Sequence, residues 1–193
     1  MFEIKRNGVF RARLVACGYS QVPGVDFTET FSPVIHDITW RIVIILMMVF
    51  KLFATIVDIE TAFLYGEFNP GEEIYMNCPE GLEHADDECL QLCKTIYGLV
   101  QASRQYYLKF ISVLKKLGFE GGQVDPCLMV RRDETGLIFI AIYVDDCLMV
   151  GDKEAVEDTI NGLKLNGFNL KVEGMLQDYL SCELTFNQDR TEA

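Results

Sequence analysis

Leu137-Ile138-Phe139-Ile140-Ala141-Ile142-Tyr143-Val144-Asp145-Asp146-Cys147-Leu148-Met149-Val150 is the stretch on which the reading of this chain turns. Two apolar runs of strand-forming composition flank two adjacent carboxylates, so the segment reads as a β-hairpin with negative charge gathered at its tip. Two carboxylates about 4 Å apart at an effective dielectric near 20 repel by roughly 4 kcal/mol. A pair held between buried strands therefore requires protonation, a cation, or splaying into water. The competing reading is an ordinary hairpin turn. Tight two-residue turns favour Asn-Gly or Asp-Gly because they need positive φ, and no glycine follows until Gly151.

A third carboxylate bears on the choice. Asp58 closes the apolar stretch Leu52 to Val57 and opens Asp58-Ile59-Glu60-Thr61-Ala62-Phe63-Leu64, where a buried strand gives way to a turn or short helix. Taken alone it is also compatible with a solvated strand end. Three carboxylates at the ends of apolar strands suggest two-metal chemistry, because hard cations such as Mg2+ take oxygen ligands from one or two carboxylates plus substrate phosphates. A metal pair about 3.5 to 4 Å apart can stabilise both the attacking and the leaving oxygen of an in-line phosphoryl displacement.

Further blocks stand in a fixed order along the chain. They are Arg11-Ala12-Arg13-Leu14-Val15-Ala16-Cys17-Gly18-Tyr19-Ser20-Gln21, Pro23-Gly24-Val25-Asp26-Phe27, Thr30-Phe31-Ser32-Pro33-Val34, and Asp58 to Gly66. Ile74-Tyr75-Met76, Pro79-Glu80-Gly81, Ile96 to Arg104, Leu117-Gly118-Phe119, Asp125-Pro126-Cys127-Leu128 and Tyr143-Val144-Asp145-Asp146 complete the series. In this order they resemble the reverse transcriptase of copia-type retrotransposons over almost the whole length. The resemblance implies an α+β chain with right-hand polymerase fingers and palm, an antiparallel palm sheet and helices on one face. It implies Asp58, Asp145 and Asp146 as catalytic triad and metal ligands, Asp58 and Asp145 the more direct, with two Mg2+ ions as cofactor and Mn2+ as the alternative ion. Phe63 matches the steric gate beneath the incoming sugar, Tyr97 and Gly98 the loop lining the nucleotide pocket, and Arg11 and Arg13 the fingers block whose cations contact the triphosphate. From the residues alone, Phe63 is equally a core aromatic, Tyr97-Gly98 a plain strand-to-helix turn, and either arginine a solvated surface cation. The chain departs from the family pattern at Val100 and Ser103, where a Lys and a Pro are usual, and at Ser181 in place of a glycine. Losing the Lys removes a phosphate contact of point-charge character.

At 193 residues and 50% apolar content the chain is long enough for one well-buried core or two small subdomains and is not of disordered type. A net charge of −12 and a pI near 4.6 are unfavourable for a nucleic-acid enzyme. The acidity is uneven, however. Glu72, Glu73, Glu80, Glu83, Asp86, Asp87 and Glu88 crowd a segment that reads as a solvated insertion, whereas Lys5, Arg6, Arg11 and Arg13, and Arg104, Lys109, Lys115 and Lys116, gather cations for a template-primer. Seven scattered cysteines fit a reducing compartment rather than a disulfide framework. Cys89 and Cys93 with His84 fall short of a zinc site because a second ligand pair is missing.

The run Ile42 to Val57 spans 16 residues, short of the roughly 20 needed to cross a bilayer. It reads as a buried helix leading into a buried strand, and no signal peptide or membrane association is expected. A helix is predicted over Gln105 to Leu117, with Tyr107, Phe110, Ile111, Leu114 and Leu117 on one face and Gly118 as its stop. A second, capped by Asp152, carries Val156, Ile160 and Leu163 inward until Gly167. Asn169 to Glu173 and Tyr179 to Phe186 are expected as later strands. Residues 1–193 are taken as a single reverse transcriptase domain, fingers and palm interleaved, cut before the thumb and ribonuclease H, with Asn187 to Ala193 as its tail. The expected function is primer extension with deoxynucleoside triphosphates on an RNA or DNA template, beside other Pol polyprotein domains, in cytoplasmic virus-like particles where expressed. The alternative is a catalytically silent relic or binding module that keeps the palm because its core still packs.

Overall fold

The computed structural model describes residues 2–4, 8, 10–173, 178–180 and 182–184. Lys5, Arg6, Ser181, the tail from Asn187 to Ala193, and residues 185 and 186 of the last expected strand lie outside the described residues. Along the chain run β1 (Phe2–Ile4), β2 (Phe10–Ala12), α1 (Asp37–Phe50), β3 (Phe53–Ile59), β4 (Ile74–Asn77), β5 (Cys89–Leu92) and α2 (Ala102–Lys116). Then follow β6 (Glu120–Gly121), β7 (Leu128–Asp133), β8 (Gly136–Tyr143), β9 (Asp146–Gly151), α3 (Lys153–Leu165), β10 (Leu170–Glu173), β11 (Asp178–Tyr179) and β12 (Cys182–Glu183). The chain divides into two compact units, one of Met1–Ser32 with Ala62–Lys109, the other of Pro33–Thr61 with Phe110–Ala193.

The second unit is built on a six-stranded sheet of order β10-β3-β9-β8-β7-β6. Every pairing in it is antiparallel. Its two central strands, β9 and β8, are largely buried on both faces. One face carries Val57, Ile138, Ile140, Ile142, Cys147 and Met149, none more than 2% exposed. Arg131 sits on this face opposite Ile138 and is only 6% exposed. Its Nη2 donates to Asp158 Oδ2 (2.8 Å) and Ala155 O (3.4 Å), its Nη1 to Leu117 O (3.3 Å), and its guanidinium lies 5.1 Å from the Phe119 ring centroid. These bonds hold α3 against the sheet.

The helix expected within Ile42 to Val57 is α1, but it is buried along one stripe only. Trp40, Val43, Ile44 and Met47, spaced i, i+3, i+4 and i+7, face inward, while Ile38, Ile42, Ile45 and Val49 are exposed. An unbroken apolar run wound at 3.6 residues per turn must present some of its members outward. Lys51, in the left-handed region at φ 53°, ends the helix and turns the chain into β3. Among the described residues no helix is long and apolar enough to cross a membrane. The inward face of α2 holds Phe110 and Leu114 as expected but is completed by Tyr106 and Val113, while Tyr107, Ile111 and Leu117 are only partly buried. Gly118 (φ 86°) ends α2 and Gly167 (φ 89°) ends α3, as anticipated. Asp152 stands at the start of α3, yet its carboxylate accepts from Leu137 N (2.8 Å) across the sheet instead of capping the helix. The inward residues of α3 are Ala155, Val156, Thr159 and Leu163, with Ile160 half-buried.

In the first unit, β1 pairs with β2 and β4 with β5, both antiparallel. Ala16, Ile74, Leu99 and Ala102 form its core, with Phe63, Phe68, Leu92 and Ile96 packed around them. The acidic run lies at the β4–β5 hairpin, whose connecting residues 82–88 are exposed. All seven cysteines are free thiols.

Replacing Arg131 with Met is expected to cost about 2 kcal/mol, since hydrogen bonds to a charged donor are each worth roughly 1.5–3 kcal/mol and the Asp158 partner stays half in water. Urea unfolding of the two chains, read by far-UV circular dichroism, measures the difference.

Candidate active site

Strand register does most of the assembly. Asp58 near the end of β3 lies opposite Asp146 at the start of β9. On the far side of Asp58 stands Lys171 of β10, and on the far side of Asp146 stands Tyr143 of β8. Lys171, Asp58, Asp146 and Tyr143 thus form one transverse row across four neighbouring strands, on the face opposite Val57 and Cys147. Residues paired in this way have Cβ atoms about 4.5–5.5 Å apart. Asp145 joins through the backbone, its carbonyl accepting from Ile59 N at 2.9 Å.

The tip is a two-residue turn, as the hairpin reading required, but without the glycine such turns prefer. Val144 takes φ 55°, and Asp145 is not in the positive-φ region, the pattern of a type II′ turn with a β-branched residue where glycine is normal. Left-handed backbone costs a residue with a Cβ roughly 1–2 kcal/mol. That strain is held at the point where the carboxylates gather, a common location for it.

Electrostatics follow from the crowding. Burial, then the charges of Asp145, Glu173 and Glu60, push the Asp58 carboxyl above the usual carboxylate range, and Lys171 opposes them. Burial, then Asp145, Asp58 and Glu173, raise the Asp146 carboxyl, again against Lys171. The neighbouring Cys147 thiol, wholly buried, is driven well up by burial first and the three carboxylates second. A cleft of about 430 Å3 opens beside the row, lined by Ile35, Asp37, Trp40, Tyr143, Asp146 and Leu180.

Among the described residues no group of three or more His, Cys, Asp or Glu side chains is gathered as a metal cage. The donor set nonetheless fits a hard divalent ion: all its atoms are oxygens, and the proton affinities of Asp58 and Asp146 are raised by burial first and by neighbouring carboxylates second, a bias that a cation would reverse.

Within the first unit, four of the residues matched to nucleotide binding come together. The Phe63 and Tyr97 rings are 5.1 Å apart between centroids at 57°, and Arg13 Cζ lies 5.5 Å from the Tyr97 centroid. Thr95 Oγ1 donates to Phe63 O at 2.5 Å and fixes the short helical turn Ala62–Tyr65. Gly98, at φ 91°, passes so close to Ala16 and Val15 that a Cβ would collide with them, and a Cβ on Gly18 would strike the Gly98 carbonyl. Arg11 lies on β2 opposite Glu3 and makes none of these contacts.

Lys171, Asp37 and Trp40 were not singled out from the sequence. Lys171 lay inside a strand that periodicity did find, but only the pairing partner reveals what a strand residue faces. Asp37 and Trp40, joined by a 3.1 Å bond from Trp40 Nε1 to Asp37 Oδ1, sit on a helix whose unbroken hydropathy hid its register.

A sequence profile described as "Reverse transcriptase (RNA-dependent DNA polymerase)" matches residues 2–191. The chain is 36% identical over 192 residues to the "Retrovirus-related Pol polyprotein from transposon TNT 1-94" of Nicotiana tabacum, covering 95% of this chain and 14% of that protein. It is 36% identical over 177 residues to the corresponding polyprotein from transposon RE2 of Arabidopsis thaliana (90% and 12%). Against the "Truncated transposon Ty1-A Gag-Pol polyprotein" of Saccharomyces cerevisiae it is 30% identical over 166 residues (85% and 13%). The chain therefore spans only about an eighth of the length of these relatives. No solved structure matches it significantly.

Because the folded Asp146 carboxyl binds its proton more tightly than an ordinary carboxyl (pKa about 3.9), its contribution to stability is present in full below that pH and is lost as pH rises through the folded value. Without divalent ions, Asp146→Asn should raise the melting temperature at pH 7, and the gain should vanish below about pH 4; paired thermal melts at both pH values measure it. Val144→Gly should stabilise the chain by about 0.5–1 kcal/mol, the relieved strain less the backbone entropy of glycine, in denaturant unfolding at neutral pH.

Proposed function

Since the chain belongs to the reverse transcriptase (RNA-dependent DNA polymerase) family, in the copia-type branch of retrotransposon Pol polyproteins, we propose that it is the polymerase core of such an element, adding deoxynucleotides to a primer 3′ end on an RNA or DNA template. The observation that supports this most directly is the opposition of Asp58 and Asp146 with Asp145 tied to the same strand end.

Asp58 and Asp145 would hold the catalytic ions, and Asp146 would back them. Two Mg2+ ions, or Mn2+ in their place, supply electrostatic stabilisation of the attacking and leaving oxygens. Lys171 and Glu173 are joined at 2.6 Å, and Lys171 draws down the proton affinity of Asp58. The sheet supplies rigidity: carboxylates on adjacent paired strands are fixed relative to one another by backbone hydrogen bonds. The second compact unit is the palm and the first the fingers, so that the whole is one interleaved polymerase domain. In the fingers Phe63 is the steric gate that disfavours a ribose 2′-hydroxyl, Tyr97 and Gly98 line the nucleotide pocket, and Arg13, already stacked on Tyr97, is better placed than Arg11 to meet the triphosphate. The template-primer, deoxynucleoside triphosphates and the other Pol domains are its partners, within cytoplasmic virus-like particles.

Primer extension by the chain fused to the downstream segment of a copia-type polyprotein tests this reading. Asp145→Asn should lower incorporation on the order of 100-fold or more, as expected when several kcal/mol of charge stabilisation is lost. Undiminished incorporation would exclude the mechanism. A silent relic would show no incorporation in either chain and no gain in melting temperature with Mg2+.

A further inference from the structure

Asp125 is only 3% exposed and lies on the turn that leads into β7. Its two carboxylate oxygens accept from different parts of the chain. Oδ1 takes the Cys127 N–H at 3.0 Å, and Oδ2 takes the His36 N–H at 2.9 Å. Cys127 O in turn accepts from Ile142 N at 2.9 Å, and Ile142 O accepts from Ile35 N at 3.0 Å. The path closes on itself: Asp125, Cys127, Ile142, Ile35, His36 and back to Asp125. Burial works against the charge of this carboxylate, but the His36 and Cys127 N–H groups and the Thr39 hydroxyl outweigh it and hold the acid below its usual range.

Ile142 is the last residue before Tyr143-Val144-Asp145-Asp146, and Ile35 lines the same cleft as Tyr143 and Asp146. A strained two-residue turn can hold one geometry only if the strands entering it are fixed. On the β9 side the ladder with β3 does this; on the β8 side both backbone groups of Ile142 are spent in the ring that the carboxylate closes. We propose that Asp125 is a positioning residue for the Tyr143–Asp146 turn, acting through this ring of backbone hydrogen bonds and touching no reacting group. The inference rests on the reading of Asp58, Asp145 and Asp146 as metal ligands, and its test separates the two.

The test uses the 193-residue chain and four variants. Asp125→Asn keeps the shape but leaves only one acceptor. His36→Pro removes a single N–H at a residue whose φ of −71° already suits proline. His36→Ala keeps that N–H and removes the ring, 3.8 Å from Asp125. Arg131→Met destabilises the same unit without touching the ring. Melting temperature is followed against Mg2+ concentration, and amide hydrogen exchange is followed at residues 35, 36, 127 and 142–146. Asp125→Asn and His36→Pro should each need about 3- to 10-fold more Mg2+ for half the thermal shift, and should exchange at least tenfold faster at Ile142 and through the turn. His36→Ala should match the parent in both, and Arg131→Met should match it in Mg2+ midpoint while speeding exchange at Ile142 no more than at Val156. Unchanged Mg2+ midpoints and exchange in the first pair, or the same changes in Arg131→Met, would overturn the proposal. A parent chain blind to Mg2+ overturns the metal reading instead, and exchange alone then decides the role of Asp125. Should Asp125→Asn not fold, His36→Pro decides; should neither fold, rapid exchange of the parent's His36 or Ile142 amide beside a protected Val156 would refute it.

Discussion

One register governs this molecule: β3 against β9, with Asp58 facing Asp146. Side chains alternate faces along a strand, so a slip of one residue would carry Asp58 into the apolar layer and lift Val57 out of it. That alternative is strongly disfavoured, because the buried Val57 and Ile59 would leave the apolar layer while the Asp58 carboxylate entered it beside Cys147 and Ile142. The hydrophobic layer on one side of the sheet thereby enforces a charged arrangement on the other. The repulsion of the acids is borne by packing they take no part in.

Much of this could be read in the chain beforehand, because the features concerned are local. The hairpin of β8 and β9, the helices ended by Gly118 and Gly167, and the strand ending near Asp58 each have a signature within a dozen residues. What stayed hidden was pairwise. Asp125 looked like part of a family block, and nothing nearby shows that its oxygens reach His36, 89 residues away. Lys171 could not be set beside Asp58 without knowing that β10 joins the edge of β3. On α2, Phe110 and Leu114 were legible, but Tyr106 faces inward in place of Tyr107, because two adjacent tyrosines are alike by sequence and only packing separates them.

The acidic balance also finds a structural place. Much of the negative charge sits on the exposed β4–β5 connection, where water and salt screen it within about 10 Å at 0.1 M ionic strength. Asp125 apart, whose charge backbone N–H groups satisfy, the Asp58 and Asp146 carboxyls of the transverse row combine partial burial with close like charges. Charge of one sign therefore serves two ends here, hydration at a loop tip and concentrated affinity for cations at a strand end.

The seam between Gly18 and Gly98 carries a genetic corollary. Alanine, the smallest side chain, already collides at either position, so neither residue has a harmless neighbour among the amino acids. Every first- or second-base change in their codons either adds atoms to a gap with no room for them or makes a stop, and third-base changes keep the glycine. Those two codons are therefore sites where one base change, to alanine for instance, breaks the seam while leaving the chain's length and charge unaltered.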